Sequence, residues 1–223
     1  MSAQHGQPAA TTGVPGLRFS VRGAAAAHAL APTIALELEV ERIDGGAVRS
    51  LMLAVQVRIA APRRRHDSPT RARLRGVFGA PEQWATGSLT SLLWARPTVT
   101  VPGFERAAVV ELLLPCSYDT QVAHDGYLCG VRDGTIPLEL LFSGTVFFTV
   151  GGRLQAAQVP WESEAEYALP AAVWQQTMDR HFPDGRWLRL DAERLDRLAE
   201  FRARRALPSW EATVDALLQE ARR

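Results

Sequence analysis

Cys116, Asp119, His124 and Cys129 fall within fourteen residues and carry side chains that can bind zinc. A structural zinc site pairs its ligands two to four residues apart, and the chain has no CxxC or HxxxH. On a helix over 120–131, His124 and Cys129 would point about 140° apart around the axis. They read as small apolar thiols and a surface histidine, and no bound metal is expected. Cys116 as a nucleophile would need a base and a group to orient it, and its local sequence supplies neither. Ser143 precedes Gly144 but lacks the first glycine of a GxSxG elbow, so it reads as a strand serine. Glu37 with Glu39, and Glu162 with Glu164 and Glu166, alternate as the wet face of a strand does; a glycosidase-like pair is the weaker reading. GxGxxG and GxxxxGK[S/T] loops are absent, and no lysine exists to act as base, Schiff-base former or phosphate ligand. No cofactor is expected.

The strongest chemical signal is charge. From Arg58 to Arg75 the chain has seven arginines, at 58, 63, 64, 65, 71, 73 and 75, against one acid, Asp67. The local charge of +6 stands in a chain of net charge +1, so the remainder sums to −5. All 25 basic residues are Arg and Asn is also missing, so the choice of Arg over Lys at one position carries no meaning. Nucleic-acid binding usually spreads over a broad basic surface, and a pI of about 7.9 disfavours it. An acidic protein partner fits better, and an unengaged, solvated loop and helix face is the other reading. Arg63, Arg64 and Arg65 follow Pro62 in an expected loop, and Arg71 and Arg75 share a face of the expected next helix. These five are the candidate partner-binding residues.

The elements around the island are legible from periodicity. Residues 17–22 alternate as a strand. Ile34, Leu36, Leu38 and Val40 alternate with Ala35, Glu37, Glu39 and Glu41. Leu51, Leu53, Val55, Val57 and Ile59 alternate with Met52, Ala54, Gln56 and Arg58. These two long runs flank Asp44-Gly45-Gly46 and predict an antiparallel hairpin. Ser68 and Pro69 read as the cap and first turn of a helix carrying Leu74, Val77 and Phe78. A second short helix holds Trp84. Strands follow over 97–115, with Pro102-Gly103 as a turn or bulge. A helix capped by Asp119, the apolar strand 135–150, a Gly-Gly turn and a further strand come next. Past Pro170 the composition turns helical. A helix over 170–182, with Pro170 at its start, leads to a turn and short strand at 183–190. Asp191 then caps a helix with Leu195, Leu198 and Phe201 or Ala199 on one stripe. Ser209 caps a last helix with Val214, Leu217, Leu218 and Ala221 facing inward.

The expected class is α+β: an antiparallel β-sheet interrupted by short helices, with a helical C-terminal section packed on it. Residues 1–16 read as a disordered lead-in, 17–169 as a β-rich domain, and 170–223 as a helical section integral to the same fold. No run of 18 apolar residues suggests a membrane span, no secretory signal is visible, and two cysteines make no disulfide framework. A cytoplasmic protein with reduced thiols is expected. Of six tryptophans (84, 94, 161, 174, 187 and 210), most should be core, with one exposed anchor possible.

"PRRR", "VPGF", "PCSYD", "GTIPLELLFSGTVFF", "QVPWE", "LPAAVWQQTMDRHFP" and "ARRALPSWEA" together resemble an uncharacterised bacterial domain family of unknown function, over about residues 17–221. Members of that family recur in gene clusters for oxygen-tolerant, high-affinity nickel–iron hydrogenases. The resemblance implies context and carries over no site residue. It points to a non-enzymatic accessory protein acting through protein contacts in assembly, maturation or stabilisation, with hydrogenase subunits or maturation factors as partners. A holdase-like chaperone using its sheet, and a hydrolase or metal-dependent enzyme with scattered catalytic residues, are the alternatives.

Overall fold

The period-two run ending at Ile59 becomes the middle of a sheet. In a computed structural model, which describes residues 14–117, 119, 122–183, 185 and 188–222, β3 (Val48–Ile59) buries Leu51, Leu53, Val55, Val57 and Ile59 and turns Met52 outward, as its alternation requires. Its partner is β7 (Thr135–Val150), antiparallel along the whole of β3. Beyond β3 lie β4 (Leu92–Ala95) and β5 (Thr98–Phe104); beyond β7 lie β8 (Arg153–Gln158) and β9 (Glu164–Pro170). A second sheet has the order β1 (Leu17–Ala26), β2 (Thr33–Arg42), β6 (Ala107–Pro115). One apolar cluster joins the sheets, with the Phe19 and Phe142 rings stacked 4.2 Å apart across it. Antiparallel sheets, short helices and a helical C-terminal region make the fold α+β.

The expected β2–β3 hairpin does not form. β2 pairs with β1 and β6, while β3 belongs to the other sheet. Gly45 and Gly46, with φ of +77° and +87°, turn the chain from one layer to the other. Both runs are amphipathic, so each buries its face by opposing the other layer as well as by lateral pairing could allow.

Pro102-Gly103 lies inside β5, not at a turn. A Cβ on Gly103 would stand 2.7 Å from the Arg49 carbonyl oxygen, so only glycine lets the two backbones approach there.

The helices are shorter than their periodicity suggests. α1 (Ser68–Arg73) and α2 (Arg75–Phe78) meet at Leu74, which is fully buried. The cap is Asp67 rather than Ser68: its carboxylate accepts from the Thr70 amide at 2.9 Å, which moves the start one residue upstream. Trp84 lies in a 3-10 turn over Pro81–Thr86. α3 (Ala123–Gly130) begins at Val122, whose side chain gives no cap hydrogen bond, so Asp119 is not its cap. Thr120 and Gln121, expected in that helix, lie outside the described residues. α4 (Ala171–His181) buries Trp174 and Met178 in the core of the sheets. The short strand expected near 183–190 is absent at 188–190, and residues 184, 186 and 187 lie outside the described residues. So do residues 1–13, most of the expected lead-in.

The chain divides into two units between Arg186 and Trp187. The second contains α5 (Ala192–Arg204), capped by Asp191 through the Arg194 amide, and α6 (Trp210–Glu220), capped by Ser209 through the Ala212 amide. Both caps are those read from the sequence. Arg205 pairs with Glu220, and the Arg202 guanidinium lies 5.0 Å from the Trp210 ring centre. Of the stripes expected to face inward, Leu198 and Phe201 are half-buried, Leu195, Val214, Leu217 and Leu218 are exposed, and Thr213 is the buried residue of α6. No helix among the described residues is long and apolar enough to cross a membrane.

Candidate functional site

The basic island starts from a row of charges across one sheet. Arg58 on β3 stands opposite Glu139 on β7, which stands opposite Glu166 on β9. Two carboxylates facing each other across strands repel, and cations flank them. Arg58 lies 3.5 Å from Glu139, and Arg63 bridges Glu139 at 3.1 Å and Glu166. Arg63 reaches them from the 3-10 turn over Ala61–Arg63, which Pro62 and the buried Ala61 anchor at the end of β3. Arg64 turns the other way. It pairs with Asp133 at 3.0 Å and donates to the Thr135 carbonyl at the start of β7.

The remaining arginines divide. Arg71 donates to the His66 carbonyl at 2.9 Å, and Arg73 to the Gly130 carbonyl at 2.7 Å, which ties α1 to the end of α3. Among the described residues nothing pairs with the side chains of Arg65 and Arg75, and both are exposed. Of the five expected partner-binding residues, Arg63 and Arg64 are thus held by intramolecular acids, Arg71 uses one donor on the backbone, and Arg65 and Arg75 keep all their donors. Three of the acids behind the −5 balance, Asp133, Glu139 and Glu166, stand beside the island. That arrangement depends on pairing across 69 to 103 residues of chain and leaves no local signature.

Under the island lies a polar pair that the sequence did not disclose. His66 is buried, with a ring nitrogen 3.1 Å from the Tyr127 hydroxyl and its ring edge-on to Trp84 and Tyr127. Burial, and then the charges of Arg64 and Arg71, hold the His66 pKa below its ordinary value, so the imidazole is neutral at pH 7. Burial pushes the Tyr127 hydroxyl up to about 12. The pair forms a neutral floor that fixes the island from below.

The residues weighed for metal or thiol chemistry surround another unforeseen group. Asp125 is 3% exposed; Ser117 Oγ donates to its Oδ2, His124 Nε2 lies 3.6 Å from its Oδ1, and Oδ1 has no hydrogen-bond partner. Burial raises its pKa, against the lowering influence of Ser117 and His124. Cys116 is buried, and its thiol is pushed up to about 12 by burial and then by Asp125. A thiol so protonated is no nucleophile at neutral pH. Cys129 is half-buried. Among the described residues no three His, Cys, Asp or Glu side chains gather as a metal set.

Of the other candidates, Ser143, Glu37, Glu39 and Glu164 are placed on strands, whereas Glu162 lies in the turn before β9 and so does not share a strand face with Glu164 and Glu166. Ser143 is exposed, 3.5 Å from the Ala54 carbonyl. Glu39 faces Ser20 and Arg22. Trp94 is buried and donates to the Pro115 carbonyl, Trp174 is buried, and Trp161 is 91% exposed between β8 and β9. Trp187 lies outside the described residues. On the outer face of β3, β5 and β7 a shallow groove of about 350 Å³ is lined by Met52, Ala54, Thr98, Thr100 and Thr145, with Gly144 at its base.

The model of a family of unknown function (DUF6084) matches residues 14–223. No curated protein matches the chain. A solved structure, beta-glucosidase 3B from Thermotoga neapolitana in complex with alpha-D-glucose, matches at 11% identity with a TM-score of 0.25, over 69% of this chain and 17% of that one. A likeness that low carries no argument about fold or activity.

Proposed function

We propose that this chain, which belongs to the family of unknown function DUF6084, is a non-enzymatic accessory protein that works by docking an acidic protein surface. The observation that carries the reading is the division within the island. Arg63, Arg64 and Arg73 fasten the segment to β7, β9 and the end of α3, and Arg65 and Arg75 are presented from that fixed base without intramolecular acids. Side chains carried on a fastened backbone spare binding the entropy of ordering a mobile loop, and unneutralised charge steers an acidic partner. The gene-cluster setting of the resembling family supports a nickel–iron hydrogenase subunit or maturation factor as that partner, with a role in its assembly or stabilisation.

The test is affinity capture from a host that makes such a hydrogenase. Hydrogenase subunits or maturation factors should co-purify with the native chain and be lost with Arg65→Glu/Arg75→Glu, whose melting temperature stays unchanged. Equal capture by the double variant overturns the docking role. A second reading, a holdase-like chaperone, rests on the groove over β3, β5 and β7, where Met52 is exposed. If that groove receives unfolded segments, Met52→Glu should abolish suppression of client aggregation and leave capture through the island intact.

A further inference from the structure

We infer that the α5–α6 unit is a self-association surface that pairs with the same unit of a second copy, α5 running antiparallel to its counterpart. Two observations carry this. The first is an open groove that combines apolar and charged side chains. Leu198 and Phe201 of α5 and Leu217 of α6 form its floor, and Arg194, Arg197, Glu200 and Arg204 line its wall. Leu217 is 37% exposed, and Val214 and Leu218 beside it on α6 are more so. A two-helix unit has one mutual face, and here much of the apolar stripe lies outside it. Helix pairs of this kind bury such stripes by joining into four-helix bundles.

The second observation chooses the occupant. Glu193, Arg197, Glu200 and Arg204 recur at spacings of four, three and four residues, so they lie along one flank of α5. Their signs alternate. When two such helices meet antiparallel about a two-fold axis, each residue i that faces j has j facing i. A register centred between Leu198 and Ala199 sets Arg197 against Glu200 of the second copy and Arg204 against Glu193 of the second copy. Both contacts occur twice, and all four are attractive. An acidic partner would suit the three arginines of the wall but would meet Glu200 as a repulsion. A second copy suits both signs. Within one chain Glu200 lies 3.9 Å from Arg204, a distance at which it can still accept from a neighbouring helix.

The test uses the full chain and measures mass against concentration by sedimentation or light scattering. The native protein should associate to a dimer. Arg197→Glu/Arg204→Glu and Glu193→Arg/Glu200→Arg should each weaken dimerisation by roughly tenfold or more, since each makes every facing pair alike in charge. Mixing these two variants should restore dimers of one chain of each kind. This separates the contact between copies from the i, i+4 pairs within a helix, because in the mixture each chain keeps its own mismatched flank. A native protein that stays monomeric at high concentration overturns the proposal. A dimer that neither charge reversal weakens also overturns it, and so does a mixture that fails to form mixed dimers.

Discussion

Arg64 should be the arginine of the island on which stability most depends, and Arg65, its neighbour, the one on which it depends least. Arg64→Ala removes a charge-assisted hydrogen bond to the Thr135 carbonyl, worth about 1.5–3 kcal/mol. It also removes the pair with Asp133, which is 75% exposed and so contributes at most about 0.5 kcal/mol. The Arg64 side chain is itself only 15% exposed, and losing its buried methylenes costs about 1.5 kcal/mol more. Against this, the Arg64 Nε is buried without a hydrogen-bond partner, and deleting it relieves about 1 kcal/mol. The balance is a loss of about 2–4 kcal/mol. For a chain of this length each kcal/mol shifts the melting temperature by about 2–4 °C, so Arg64→Ala should melt roughly 5–15 °C lower. Arg65→Ala, which breaks no contact, should stay within about 0.5 kcal/mol. Thermal unfolding followed by circular dichroism, with urea midpoints as a second measure, distinguishes the two. Equal losses for both variants, or an unshifted Arg64→Ala, would refute the assignment of Arg64 to internal counter-charge. For the same reason, reversing Arg63, Arg64 and Arg65 together is a poor test of docking, since Arg63→Glu would set a third carboxylate against Glu139 and Glu166.

Gly144→Ala should cost roughly 3 kcal/mol or more, because its Cβ would stand 2.0 Å from the Met52 carbonyl oxygen across the β3–β7 ladder; a urea midpoint equal to that of the native chain would show that the strands can part there. Cys116, with its thiol pushed up to about 12, should resist alkylation at pH 8 in the folded protein and react in denaturant; rapid labelling of the native chain would count against its burial. For Asp125, burial raises the folded-state pKa above the unfolded value near 3.8, so the folded chain holds the proton more tightly. That contribution to stability is full below the unfolded pKa and fades as the pH rises through the folded one. Asp125→Asn should therefore flatten the fall of the urea midpoint from pH 4 upward and be at least as stable as the native chain at pH 7; an unchanged pH profile would contradict the assignment.

Local pattern was enough to determine most of the strands and two of the four expected caps. The alternation at 48–59 placed five side chains inward because a strand has no other way to sort two faces, and Asp191 and Ser209 were recognisable as caps because a cap acts over three residues. The α+β class followed from the same signals. Pairing did not. Nothing local told β2 to join β1 and β6 and leave β3 to the opposite layer, since an amphipathic strand is satisfied by either arrangement and the choice is made by the whole core. The island was legible as an excess of charge. Its division was not, because Glu139, Glu166 and Asp133 come within reach of Arg63 and Arg64 only when β7 and β9 lie beside the end of β3. His66, Tyr127 and Asp125 stayed hidden for the same reason: a titratable side chain takes its pKa from burial and neighbours, and both are properties of the assembled fold rather than of the residues adjoining it in the chain.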